Sequence, residues 1–214
     1  MNRAGSLCDR ASVALLVGGA ALTAALYARL PATMPVHFGL DGRADGFAPK
    51  IVGAWLLLVI AAALWPFVRF GARLLPVGAR ERYERSPVAL AALMTTAFLV
   101  GIQLCVLSAS LRDGTFGRGF SLLLAVFWFA LALIYPKVRR NPFLGVRVRW
   151  TLASDENWAR THRFAGQCCV AGALVALVGA AVGSVALSIS AIIVSGLVPV
   201  GFSFWMARRE GRVR

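Results

Sequence analysis

This sequence is short of charge. Asp, Glu, Lys and Arg make up 15% of its 214 residues, against 59% hydrophobic residues. A water-soluble domain carries about a quarter charged residues. A chain this short keeps a large surface, so a big core does not explain the shortfall. Its apolar residues must face something other than water. Acids are scarcer still: nine, against 23 Lys and Arg, for a net charge of +14. A basic excess fits nucleic acid or anionic lipid, and the placement of the bases decides between them. Cysteine is confined to Cys8, Cys105, Cys168 and Cys169, three of them inside apolar segments. No secreted-type spacing is present, and the adjacent pair Cys168-Cys169 does not make a metal knuckle. These cysteines read as small hydrophobic residues in helices. Catalytic signatures are missing too: there is no HExxH, no GxSxG and no paired-carboxylate pattern.

What the chain does have is long apolar runs. Six stretches are nearly free of charge: Ala11–Leu30, Ile51–Phe70, Pro87–Ala109, Gly119–Pro136, Gly166–Gly183 and Val185–Ala207. A spanning helix needs about 17–25 such residues. Lipid supplies no hydrogen-bond partners, so each stretch is expected to be a helix. Their only charges, Arg29 and Arg69, sit next to segment ends, from where they can snorkel to the headgroups. The first run is too long, and followed by too many others, to be a signal peptide. Gly172, Ala176 and Ala180 form a small-residue stripe that permits close helix contact. Pro199 is expected to kink the last helix, with Ser195 compensating one turn earlier. No Asp, Glu, Lys, Arg or His lies mid-span, which disfavours an ion pathway or transporter. Gln103, the most polar mid-span residue, reads as an interhelical hydrogen bond.

The bases set the orientation. With the N-terminus in the cytoplasm, 18 of the 23 Lys and Arg fall on the inner side and five on the outer. The positive-inside rule then puts both termini in the cytoplasm. Bases against the inner leaflet account for the +14 without direct nucleic-acid binding. The fold class expected is an all-α membrane protein. It has six transmembrane helices, a short hairpin-like outer loop and an interfacial inner helix.

Two loops carry information. The outer loop, 31–50, includes Pro35, His37, Asp41, Gly42, Asp45 and Gly46. Val36, Phe38 and Leu40 alternate with His37 and Gly39 and run into Asp41-Gly42, a hairpin signal. Asp45-Gly46 suggests a second turn. The regular carboxylate ladder of a calcium loop is absent. His37 has no second His or Cys nearby, so it reads as a packed or interfacial residue and not a metal ligand. The inner loop, 137–165, holds seven bases. Asn141-Pro142 should start a turn. Phe143, Leu144, Val146, Val148 and Trp150 then alternate imperfectly with Gly145, Arg147 and Arg149. Ser154 is the expected N-cap of a helix with Asp155 and Glu156 in its first turn. That helix puts Trp158 and His162 on one face. It is expected to lie at the interface before turning into the fifth span, with Trp158 at headgroup level. His162 and Asp155 are two helical turns apart, which makes a poor catalytic pair. No catalytic residue, metal site or cofactor is expected.

The run from Asn141, Pro142 and Gly145 through Arg147, Trp150 and Thr151 to Trp158, Thr161 and His162 closely resembles the signature of the SdpI family of bacterial membrane proteins. The outer loop, Met34-Pro35-Val36-His37-Phe38 with its two Asp-Gly pairs, looks like an N-terminal module of unassigned function that many of these proteins carry. The resemblance implies two parts: residues 1–86, a two-span module with outer loop 31–50, and residues 87–214, a four-span module with motif loop 137–165. It also implies a multi-pass protein of the cytoplasmic membrane. The founding member confers immunity to a secreted, membrane-active toxin peptide and holds a cognate repressor at the membrane. The implied partners are the lipid bilayer, a toxin peptide outside and a repressor-type regulator inside. Other readings are a scaffold for a regulator or anionic lipid, and a lipid-headgroup enzyme using His162.

Overall fold

A computed structural model of the chain describes residues 3–84, 87–112 and 116–211. Arg85, Arg212 and Arg214, counted above among the inner bases, lie outside those residues. Helix α1 (Arg3–Leu26) leads to an antiparallel hairpin of β1 (Thr33–Phe38) and β2 (Ala44–Pro49). Then come α2 (Lys50–Phe70), the short α3 (Val77–Glu84), α4 (Val88–Leu111) and α5 (Gly117–Ile134). The short α6 (Arg149–Ala153) precedes α7 (Asp155–Val182) and α8 (Val185–Arg209). Among the described residues six helices are long and apolar enough to cross a membrane: α1, α2, α4, α5, α7 and α8. They correspond to the six expected spans. Large apolar side chains such as Val59, Val126, Val178 and Leu197 stay exposed on the bundle surface. Lipid tails solvate such a surface.

The helices pack in two groups, α1–α2–α4 and α5–α7–α8, joined where α4 meets α5. Lipid removes most of the hydrophobic drive between helices, so close backbone approach and interhelical hydrogen bonds hold them together. Gln103 of α4 provides such bonds. Its amide donates to the Gly53 and Ala54 carbonyls of α2, 3.3 and 2.9 Å away. Between α7 and α8, small residues do the work. Gly172 faces Ser195, Gly179 faces Ser188, and Ala176 and Ala180 are buried. Trp128 of α5 donates to the Ser195 hydroxyl at 2.9 Å. That hydroxyl also bonds the Ile192 carbonyl. Ser195 is therefore committed to its neighbours, and α8 runs through Pro199 as one helix.

Two local expectations change. Arg69 does not snorkel alone. Its guanidinium grips Asp9 of α1 with two hydrogen bonds of 2.7 and 3.1 Å. A paired charge is easier to hold beside hydrocarbon than a lone one. The helix after Ser154 does not turn at the interface either. It runs unbroken for 28 residues through the fifth span. At 1.5 Å per residue it is about 42 Å long, against a hydrocarbon core of about 30 Å.

A Cβ at Gly172 would meet the Ser195 hydroxyl and come within 2.8 Å of the Ser195 Cβ. Gly172→Val is expected to cost about 1–3 kcal/mol, as overpacking does. The readout is the midpoint of unfolding in detergent. An unchanged midpoint would mean that α7 and α8 do not pack this way.

Candidate functional site

The segment between α5 and α6 is mostly irregular, so its backbone polar groups need partners other than a ladder. Side chains provide them. Asn141 is buried, and its Oδ1 accepts the Phe143 and Leu144 amides, each at 2.8 Å. Its Nδ2 donates to the Arg139 and Leu144 carbonyls at 2.7 and 3.3 Å. The Pro142 carbonyl accepts from the Arg147 guanidinium at 2.9 Å. Asn-Pro thus starts a turn, as its residue types suggest. The alternation beyond it makes no strand. The Val146 amide donates instead to His162 Nε2 at 3.0 Å, and the Val148 amide to Thr151 Oγ1 at 3.1 Å. The Thr151 hydroxyl lies 2.7 Å from the Val146 carbonyl. Gly145 holds φ at +112°, and a Cβ there would collide with His162 Nε2. Glycine alone suits both conditions.

Helix α7 brings the other half of the cluster. The Ser154 side chain accepts the Asn157 amide at 3.1 Å, capping the helix as expected. Trp158 and His162 stack at 4.1 Å between ring centroids, one turn apart. Trp158 Nε1 donates to the Val138 carbonyl at 2.8 Å, and His162 Nδ1 sits 2.8 Å from the Trp158 carbonyl. The two residues are 2% and 1% exposed. Trp158, expected at headgroup level, is inside the protein because its indole N–H and its stacking partner are there. Thr161 donates to Asn157 Oδ1 at 3.1 Å, and Asn157 Nδ2 to the Ser203 carbonyl at 3.0 Å. Trp150 Nε1 donates to the Ser203 hydroxyl at 2.8 Å. The structure therefore gathers Asn141, Gly145, Thr151, Trp158 and His162 into one cluster. Trp150 and Thr161 link it to α8, and Pro142 and Arg147 lie at its edge.

At the other end of the bundle, Asp41 and Gly42 make the hairpin turn, with Gly42 at φ +76°. Asp45-Gly46 does not make a second one. Both residues lie in β2, where Gly46 pairs with His37. Once Asp41-Gly42 reverses the chain, residues 44–49 are drawn into register with 33–38. His37 Nδ1 and Asp45 Oδ1 are 2.5 Å apart, and both side chains are exposed. His37 is thus paired at the surface and not packed. The hairpin is tied down: the Phe116 amide donates to the Gly42 carbonyl at 3.0 Å, and Phe38 stacks on Phe116 at 4.1 Å. Met34 is fully buried against Gly53. Beside the hairpin lies an apolar cavity of about 320 Å³. Pro35, Val36, His37 and Phe38 form one wall, and residues of α2, α4, α5 and α8 form the rest.

These geometries bound the chemistry. The Val146 amide takes the His162 Nε2 lone pair, and the Nδ1 proton points at the Trp158 carbonyl. That is the neutral ring with both nitrogens used. It has neither a lone pair nor a proton to offer a substrate. Asp155 is engaged by Arg140 at 2.7 Å, away from His162. Among the described residues no three His, Cys, Asp or Glu side chains gather as metal ligands. The cluster is built to lock an irregular loop onto two helices. Ser203, Asn157 and Arg140 were not singled out in the sequence. Ser203 lies 41 residues beyond His162 on an apolar helix, where no local pattern marks it.

The protein is thus a multi-pass helical membrane protein with a hairpin at one end and a self-bonded motif at the other. Residues 137–206 match the SdpI/YfhL protein family, and residues 14–67 match a domain of unknown function (DUF1648). The two matches together support an SdpI-family membrane protein with an N-terminal module. Neither a curated protein nor a solved structure matches it. The family segment takes in the motif loop, α7 and most of α8, so Ser203 and the residues bonded to it lie in one matched unit.

Thr151→Val removes the hydroxyl that serves Val146 and Val148 and leaves buried backbone groups unpaired. It is expected to cost about 1–3 kcal/mol. Gly145→Ala should act in the same direction, through strain and the His162 contact. The readouts are the unfolding midpoint in detergent and the rate of trypsin cleavage at Arg147 and Arg149, which should rise.

Proposed function

We propose that the protein is a non-enzymatic immunity or sensor protein for a membrane-active peptide. One observation carries this reading: the apolar cavity that runs between the hairpin and the ends of four spanning helices. Its volume of about 320 Å³ falls in the range of about 300–1,000 Å³ usual for ligand pockets. Its walls are apolar side chains on spanning helices, with the His37–Asp45 pair on the adjoining hairpin. A peptide that enters the outer leaflet would place apolar side chains there and polar ones against the hairpin. The arginine count supports a cytoplasmic-membrane location, both termini inside and the hairpin outside. In that orientation the motif loop faces the cytoplasm and offers a surface for a repressor-type regulator. The two-part division, 1–86 and 87–214, assigns the receiving hairpin to one part and the docking motif to the other.

A second reading is a scaffold that binds a regulator without any toxin. It is favoured by the exposed Arg149 and Arg163 around a closed motif. Headgroup enzymology fits less well, because both His162 nitrogens are occupied.

Expression in toxin-sensitive cells tests the first reading. Wild type should raise survival, and Leu56→Trp, which fills the cavity from α2, should cut that gain by about tenfold, the equivalent of about 1.4 kcal/mol of binding. No gain from wild type present in the membrane would sink the immunity reading for that toxin. In a pull-down of cytoplasmic regulators, Arg149→Gln/Arg163→Gln should lower recovery if the motif face is the docking surface. Equal recovery would remove that face from the proposal.

A further inference from the structure

Phe143 belongs to the motif loop, yet its ring packs on the N-terminal helices. It meets the Tyr83 ring of α3 edge-on, with centroids 5.7 Å apart, and the Phe67 ring of α2 in the same manner at 6.0 Å. Ala72, Leu75 and Val88 complete this socket. A hydrogen bond runs beside it: Arg82 Nε donates to the Arg140 carbonyl at 3.1 Å. The two matched segments, 14–67 and 137–206, therefore touch directly, at Phe67 and Phe143.

Helix α3 has little other reason to be ordered. It is eight residues long, and a helix of that length is marginal on its own in water. Among its described side chains only Tyr83 is buried, while Val77, Arg80, Glu81 and Arg82 are exposed. The Tyr83 hydroxyl donates to the Val68 carbonyl in the last turn of α2, where a helix leaves carbonyls without intrahelical partners. Its ring is the wall that Phe143 meets. One residue thus joins the end of α2, α3 and the motif loop.

The other holds on the loop come from elsewhere. Asn141, Thr151 and His162 satisfy its backbone, and Trp150 and Asn157 tie that cluster to α8. Those bonds fix the shape of the loop and attach it to the α5–α7–α8 group. Phe143 attaches it to the α1–α2–α4 group, which otherwise meets the second group where α4 packs on α5. We propose that the N-terminal module serves as a clamp on the motif loop, with the end of α2 and α3 as its jaw and Phe143 as the residue it grips. A shift of α2 or α3 then frees Phe143 while Asn141 and His162 keep their bonds, so the outer face of the loop changes first. This role holds whether or not the hairpin end meets a toxin.

The test uses the full chain in a mild detergent, with amide hydrogen exchange over residues 139–149 read by mass spectrometry. Tyr83→Ala and Phe143→Ala should each speed exchange of the peptide holding the Phe143 and Leu144 amides by about fivefold, the size expected for losing one aromatic contact. The double variant should be no faster than the faster single, because side chains in direct contact do not contribute additively. Met34→Ala is the control: it opens the buried contact at the hairpin end of the same module, so it should lower the unfolding midpoint and leave that peptide unchanged. Should Tyr83→Ala not fold, Tyr83→Phe keeps the ring, loses only the bond to Val68, and should still speed exchange. Unchanged exchange in the single variants, additive effects in the double variant, or an equal rise with Met34→Ala would overturn the clamp.

Discussion

The hydrocarbon of the bilayer offers no hydrogen bonds, and this single constraint shapes both ends of the molecule. Inside the spans, helices close their own backbones. The difficulty arises where the chain must leave a helix close to the membrane. Residues 138–148 do so without ladder partners. Their amides and carbonyls go to Asn141, Thr151 and His162, and to the turn itself. Those side chains are buried, so each must be satisfied in turn, which pulls in Trp158, Asn157 and Ser203. The motif is long and mixed in residue type because one unpaired group propagates a demand to the next. At the hairpin end the same demand has a simpler answer, since two strands pair with each other.

Much of this was legible in the sequence. The spans follow from run length, the Asp41-Gly42 turn from residue type, and the Ser154 cap from its place before Asp155 and Glu156. Each is a local signal, read from residues next to one another. What the sequence hid is long-range. Arg69 looks like a snorkelling base until Asp9, 60 positions away, is placed beside it. Trp158 looks interfacial until Val138 and His162 enclose it. Asp45-Gly46 carries the same turn signal as Asp41-Gly42, but one turn had already fixed the register and left the second pair inside a strand. Most of the motif residues come together in one cluster, and their contacts with one another depend on distances that no spacing reveals.

The two ends share one element. Val185, at the start of α8, lies beside Gly42 of the hairpin turn and lines the apolar cavity. Ser203, near the end of the same helix, takes the Trp150 and Asn157 bonds of the motif cluster. Eighteen residues of helix separate them, about 27 Å at 1.5 Å per residue. Between them α8 packs along α7 at Gly172 and Gly179, where Ser195 and Ser188 leave no room for a Cβ. Packed interfaces move between discrete arrangements more readily than they deform continuously. On the proposed reading, a ligand that repositions Val185 has α8 as a route to Ser203, which takes a partly buried bond from Trp150 and a buried one from Asn157 of α7. Breaking either would expose the unpaired groups that the cluster exists to satisfy, so the loop would have to rearrange and not merely loosen. A closed, fully bonded motif is in this sense well suited to report on a distant event, because it has few ways to respond by small degrees.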